Sequence, residues 1–242
     1  SAASDVYKRQ LSDFEMYPVI GMETPYAYRN KAQFPVGEDK DGNIVIGFYA
    51  GRTHHIVEQT DCCIGAPENG EVLRKVKAYM QKNQIRPYNE EHHSGIVRHI
   101  LIRTGYHTKE IMVCLIVNAA KASCLKNAEQ LTESLREMDG MTSVMVNFNT
   151  EKTNVILGKK SEVLWGQPYI EDFIGDVKYQ ISPQSFFQVN PMQTEKLYAK
   201  ALEYAGLTGN ETVWDLYCGI GTISLFLSLI HISEPTRQAE IS

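Results

Sequence analysis

The residues of this 242-residue chain best suited to chemistry stand near its end, at Val213-Trp214-Asp215-Leu216-Tyr217-Cys218-Gly219-Ile220-Gly221-Thr222. This stretch reads as a strand running into a glycine-rich loop, where glycines just past a strand end let the backbone approach a ligand closely. A dinucleotide fingerprint asks for G-x-G-x-x-G, but its third glycine is replaced here by Ser224. Asp215, four residues before the first glycine, fits an S-adenosylmethionine site better, since that cofactor has no pyrophosphate to cradle. A structural turn without a ligand is the plainer alternative. The histidine pairs His54-His55 and His92-His93 suggest a metal, but adjacent side chains in a strand point to opposite faces, and no carboxylate or cysteine spacing supports a site.

These residues need elements to position them. Asn43 to Tyr49 follows an Asp41-Gly42 turn signal and reads as the second arm of a hairpin. Ile96 to Arg103 and Ile111 to Val117 form a second hairpin around Gly105 to Thr108. Ser143 to Phe148 and Thr153 to Leu157 form a third around Thr150-Glu151-Lys152. One helix carries Val72, Leu73, Val76, Tyr79 and Met80 on a stripe, and another carries Ala128, Leu131, Leu135 and Met138. Hairpins separated by helices predict a layered sheet with helices on one face. A boundary is expected near Gly175. Beyond it come a strand at Lys178–Ile181, a turn at Ser182-Pro183-Gln184-Ser185, and a helix from about Met192 to Ala205. That helix puts Leu197, Ala201, Leu202 and Ala205 on one face and has Gly206 as its C′ residue. A strand over Thr212–Leu216 leads into the glycine loop.

The composition is that of an ordinary globular chain with net charge −5, which argues against a nonspecific nucleic-acid binder but not against an RNA enzyme with a local basic groove. No apolar run is long enough to span a bilayer. The cysteines Cys62, Cys63, Cys114, Cys124 and Cys218 are odd in number and irregular in spacing, which fits a reducing, cytoplasmic compartment. The ends read differently. A DNA that encodes Asp5 to Gln10 has a reverse complement that encodes Leu227 to Ile232, as the ends of a transposon-based sequencing adapter would. Residues 1–10 and 227–242 are therefore expected to be adapter-derived, leaving a truncated piece of a larger protein.

Phe186-Phe187-Gln188-Val189-Asn190, then a helix, then Asp-Leu-Tyr-Cys-Gly-x-Gly resembles the RNA uracil-C5 methyltransferase family, which makes 5-methyluridine in rRNA and tRNA. Tyr28-Arg29-Asn30-Lys31-Ala32 and Gly47-Phe48-Tyr49 with His55-Ile56-Val57 and Cys62 agree with it, as do His93-Ser94-Gly95, Arg98-His99 and Asn154 to Gly158. The resemblance covers nearly all of residues 20–226 and is nearest to members acting on 23S rRNA. It implies an α+β central domain over 11–175, then the start of a Rossmann-like α/β S-adenosylmethionine-dependent methyltransferase domain over 176–226. It implies RNA, rather than DNA or a membrane, as partner.

By that resemblance Gln188, Asp215, Tyr217, Gly219, Gly221 and Thr222 serve the cofactor, and Phe186 lies beside the target uracil. An extruded base needs an aromatic face to replace its lost stacking. Core packing is the plainer reading for both phenylalanines, and stronger for Phe187. Arg29 is the favoured RNA contact, with Lys31, Arg98 and Arg103 as further candidates; Lys159-Lys160 reads as a solvated turn. Cys62 matches the last ligand of the family's [4Fe-4S] site, a cluster that some members lack. Cys63, Cys114 and Cys124 are read as packing residues.

Uracil-C5 methylation needs a nucleophile at C6 and a base at C5, and the family keeps both well beyond its glycine loop. Cys218 is therefore not the nucleophile, no catalytic residue is expected in this chain, and residues 11–226 alone are expected to be inactive. The nearest alternative is the same chemistry on the tRNA T-loop. A noncatalytic RNA-binding relative and, more remotely, a nicotinamide oxidoreductase complete the alternatives.

Overall fold

The computed structural model describes residues 16–228, so the expected adapter segment 1–10 and all but Leu227 and Ser228 of the expected segment 227–242 lie outside the described residues. Nine strands and four helices are described: β1 Lys31–Glu38, β2 Ile44–Tyr49, β3 Ile56–Glu58, α1 Asn69–Lys82, β4 Val97–Thr104, β5 Ile111–Val117, α2 Ala128–Arg136, β6 Met141–Phe148, β7 Lys160–Gly166, β8 Ile170–Ile174, β9 Val177–Ile181, α3 Pro191–Ala205 and α4 Thr222–Ser228. A single 3-10 turn, Ala122–Cys124, precedes α2.

Seven strands form one mixed sheet in the order β3-β2-β1-β4-β5-β6-β7, and β8 and β9 form a separate hairpin. Neighbours are antiparallel except β5 and β6, which run parallel and are joined through α2, the crossover a parallel pair requires. The first two expected hairpins form. In the first, the Asp39 carboxylate accepts from the amides of Asp41 and Asn43 at 2.9 and 2.8 Å, closing the β1–β2 turn.

The central strands are apolar on both faces, and each face has its own cover. Ile100, Ile102, Val113, Leu115, Val144 and Val146 meet the stripes of α1 and α2. Leu101, Met112, Cys114, Ile116 and Met145 turn to the other side, against β8, β9, Phe187 and Tyr198 of α3. The helices α1 and α2 follow the predicted spacing, although Met138 lies just past the end of α2.

Three expectations are corrected. Thr153–Leu157 is not a strand; β6 pairs instead with β7, starting at Lys160. The backbone of the intervening loop is held by buried side chains. Asn149 donates to the carbonyls of Val155 and Ile156 at 2.7 and 3.0 Å, Asn147 donates to that of Gly158 at 2.9 Å, and Arg98 donates to those of Asn149 and Glu151, both at 2.8 Å. With its polar groups met in this way the segment has no need of a ladder. Thr212–Leu216 forms no strand among the described residues: Thr212–Asp215 have no regular structure, Leu216 opens a turn, and Trp214 and Leu216 stand in solvent. Helix α3 buries Pro191, Thr194 and Tyr198 rather than the Leu197 stripe, and Leu197 is exposed. The caps of α3 are as the residues dictate. The Asn190 side chain accepts from the Gln193 amide at 3.2 Å, and Gly206 takes the left-handed conformation at φ 57°. The boundary position near Gly175 falls in the β8–β9 turn.

Candidate functional site

The segment Phe186–Asn190 is held from behind by two side chains, one from the large sheet and one from the residue just before β1. Arg103, at the end of β4, is fully buried and donates to the carbonyls of Pro183 (3.3 Å) and Ser185, fixing the turn that leads into Phe186. Burial pulls its guanidinium down to about 10, and burial pushes the neighbouring Cys114 thiol up to about 12. Asn30 donates from its side chain to the Gln188 carbonyl and from its backbone to that of Val189, both at 3.0 Å. Between these clamps the side chains divide. Phe187 is buried against Tyr179, with ring centroids 5.8 Å apart, while Phe186 is 68% exposed and Gln188 is half-buried.

The glycine loop has the opposite character. Tyr217, Gly219 and Gly221 all have positive φ, at 67°, 58° and 75°. Nothing lies within 4 Å of where a Cβ on Gly219 would stand, so the backbone there is open to a ligand. Ser224, which occupies the third fingerprint position, donates from its hydroxyl to the Asp215 carboxylate and ties the loop to α4. Thr222 is buried: its hydroxyl pairs with the Tyr198 hydroxyl at 2.9 Å, and its carbonyl accepts from Tyr179 at 3.1 Å. Tyr179 thus touches both Phe187 and Thr222 and joins the two sequence motifs through one core, whose burial raises its phenol pKa.

Arg29 and Cys62 meet in a third place. They line a cleft of about 480 Å³ with Lys31, Phe48, His99 and Val189, the last from the Phe186–Asn190 segment. Arg29 is exposed and its Nε donates to the Lys31 carbonyl at 2.9 Å. Burial lowers the Lys31 ammonium pKa, with Arg103 and Arg29 adding to the effect. Burial, helped by Arg98, brings His99 down to about 4, so its ring is neutral at pH 7. Cys62 is half-buried, and no group of three or more potential metal ligands occurs among the described residues. His54 instead pairs with Glu90 at 2.9 Å, and His93 Nδ1 meets the Tyr88 hydroxyl at 2.7 Å.

With this geometry in view, comparison with known proteins is decisive at the level of the family. No family model matches the chain. A protein of Clostridium tetani named as an uncharacterized RNA methyltransferase is 48% identical over 217 residues, covering 89% of this chain and 46% of that protein. A Bacillus cereus protein of the same name is 48% identical over 219 residues, 90% of this chain and 47% of its own length. The chain belongs to this family of RNA methyltransferases. It spans about half the length of the curated relatives it matches. Its fold is similar to that of the Pyrococcus abyssi tRNA (uracil-54, C5)-methyltransferase in complex with S-adenosyl-L-homocysteine. That similarity has a TM-score of 0.70 and 26% identity, and covers 86% of this chain and 48% of that one.

Two expected RNA contacts are corrected. Arg98 and Arg103 are 4% and 2% exposed and spend their donors on internal carbonyls, so they position loops instead of meeting phosphate. Among the cysteines read as packing residues, Cys114 is buried and Cys124 half-buried, but Cys63 is exposed. Lys160 opens β7 and pairs with Glu162 at 2.9 Å. Asn30, Tyr179 and Tyr198 were not singled out by sequence reasoning. Asn30 had one usable signal: it lies within the Tyr28–Ala32 stretch that carries the resemblance.

Proposed function

We propose that this chain is part of an S-adenosylmethionine-dependent enzyme that forms 5-methyluridine in 23S rRNA. One observation supports the reading most: the exposed Phe186 and the open glycine loop are built onto one core through Tyr179 and Tyr198. On this reading residues 11–175 are the central domain and 176–226 begin the Rossmann-like catalytic domain. The loop suits the cofactor, because its left-handed backbone at Tyr217, Gly219 and Gly221 leaves room for close approach. Gln188, Asp215, Tyr217, Gly219, Gly221 and Thr222 hold or border the cofactor, which when bound supplies the methyl group on its sulfonium.

Phe186 offers its exposed ring to the extruded uracil, Phe187 anchors the segment in the core, and Asn30 and Arg103 keep it in place. Arg29 meets RNA phosphate. A Cys thiolate adding at C6 of the base and a second group removing the C5 proton would come from the family's downstream segment, so the chain by itself is inactive. Cys62 would supply one thiolate to a [4Fe-4S] cluster in the longer protein. The setting is cytoplasmic.

The test is transfer of labelled methyl from S-adenosylmethionine by the full-length protein to unmodified 23S rRNA and tRNA transcripts. We expect label in 5-methyluridine of the rRNA. Label confined to the tRNA T-loop would move the substrate to the alternative, and label in neither would overturn the catalytic reading.

A further inference from the structure

The cleft that contains Arg29 has features that the target uracil beside Phe186 does not use. Two of its lining residues, Asn69 and His99, are 3% and 8% exposed. Each carries a buried atom, Asn69 Nδ2 and His99 Nδ1, with no hydrogen-bond partner among the described residues. A buried polar group left unpaired costs stability, and two such groups on residues that line one cleft suggest a ligand that completes both. The rest of the lining suits an aromatic, charged ligand. Phe34 and Phe48 lie 5.2 Å apart at an interplanar angle of 50°, and Arg29 and Lys31 bring positive charge. About 480 Å³ is ample for one nucleotide and lies within the range of small-ligand sites.

We propose that this cleft takes a second, unstacked nucleotide of the RNA, distinct from the methylated uridine. Its base packs on Phe48 and pairs with Asn69 and His99, and its phosphate faces Arg29 and Lys31. Sequence-specific RNA recognition works this way, by splaying out single-stranded bases, stacking them on aromatics and hydrogen-bonding their edges. The base edge would accept from the Asn69 amide, which has only donors on Nδ2. The cleft is also joined to the target site: Val189 lines it, next in sequence to Gln188, whose carbonyl Asn30 holds. One nucleotide in the cleft would thus fix the register of another at Phe186. The inference rests on the RNA-methyltransferase reading and adds a specificity site to it.

The test uses the whole chain, a short fluorescein-labelled single-stranded RNA, and the four ribonucleoside monophosphates as competitors. Variants Asn69→Leu, His99→Leu, Arg29→Ala and Phe186→Ala are compared by anisotropy and by thermal melting. We expect Asn69→Leu to weaken RNA binding about tenfold, as loss of a buried hydrogen bond would, and to abolish preference among the competitors. Its melting temperature should hold or rise, since an unpaired amide has been replaced by an apolar group. Arg29→Ala, at an exposed position, should weaken binding of every RNA alike, as its phosphate contact requires, and the cleft is read from competitor preference in Asn69→Leu and, independently, in His99→Leu. Full RNA affinity in Asn69→Leu, His99→Leu and Arg29→Ala, with loss only in Phe186→Ala, would overturn the cleft site while leaving the RNA reading intact. Absence of RNA binding by the unaltered chain would count against both.

Discussion

The strands β4 and β5 and the segment Val213–Tyr217 are similar in their apolar content and opposite in their fate. Leu101, Leu115 and Ile116 have no exposed surface, whereas Trp214 is 81% exposed and Tyr217 fully so. The difference is in neighbours. The central strands have a partner on each side and a covered face above and below, while Val213–Tyr217 has no strand beside it among the described residues. A β-pattern is a statement about fitting a pleated, packed surface, and it produces a strand only where such a surface exists. The molecule therefore joins a packed platform to an open glycine loop, and Tyr179 and Tyr198 link the two through Thr222.

The largest effect that would sharpen this contrast comes from paired truncations. Leu115→Ala removes a side chain with no exposed surface from the core under α1 and α2, and should cost about 2–5 kcal/mol in denaturant unfolding. Trp214→Ala removes more atoms from solvent and should stay within about 0.5 kcal/mol. A cost at Trp214 comparable to that at Leu115 would show that the loop is packed after all, and the contrast would fail.

Much of the platform was legible because its signals are local. The stripe Val72, Leu73, Val76, Tyr79 and Met80, the Asp41-Gly42 turn, and the Asn190 and Gly206 caps of α3 all depend on residues a few positions apart. What holds the candidate site is not local. Arg103 reaches carbonyls 80 and 82 residues away, and Asn30 reaches one 158 residues away. No spacing rule encodes such a bond. One clue was available: Arg98, His99 and Arg103 interrupt an apolar strand flanked by strands on both sides. Charges there must find internal partners or cost heavily. The Thr153–Leu157 error has the same root, since Asn147, Asn149 and Arg98 satisfy that loop from a distance. Similarly, the resemblance located Phe186 and Gln188 and the sequence leaned toward burial for Phe187, but the fold is what shows Phe186 exposed and Phe187 buried.

The platform should also answer to pH. His99 is held near 4 against an ordinary value of 6.5, by burial first and Arg98 second. Between those values the unfolded chain takes up a proton that the folded chain refuses, so stability is full above about pH 6.5 and falls as pH drops toward 4. A shift of that size corresponds to about 3 kcal/mol at full development. His99→Leu should flatten that part of the profile in urea unfolding measured at successive pH values. A slope unchanged by the substitution would mean that the ring is wetter, and the cleft more open, than its burial indicates.

The smallest effect tests the loop on its own terms. Tyr217 carries a bulky side chain at φ 67°, a left-handed conformation that costs a non-glycine residue roughly 1–2 kcal/mol, yet its ring is fully exposed and so gains no compensating burial. Strain kept at an open position points to use rather than packing. Tyr217→Gly should therefore raise stability by up to about 1 kcal/mol while weakening S-adenosylmethionine binding, read by calorimetry on the same sample. Stabilisation with cofactor affinity unchanged would remove Tyr217 from the cofactor site and leave its conformation to the turn alone. Destabilisation would mean that the ring finds a packing partner in solution, which would bring the glycine loop closer in kind to the platform it stands on.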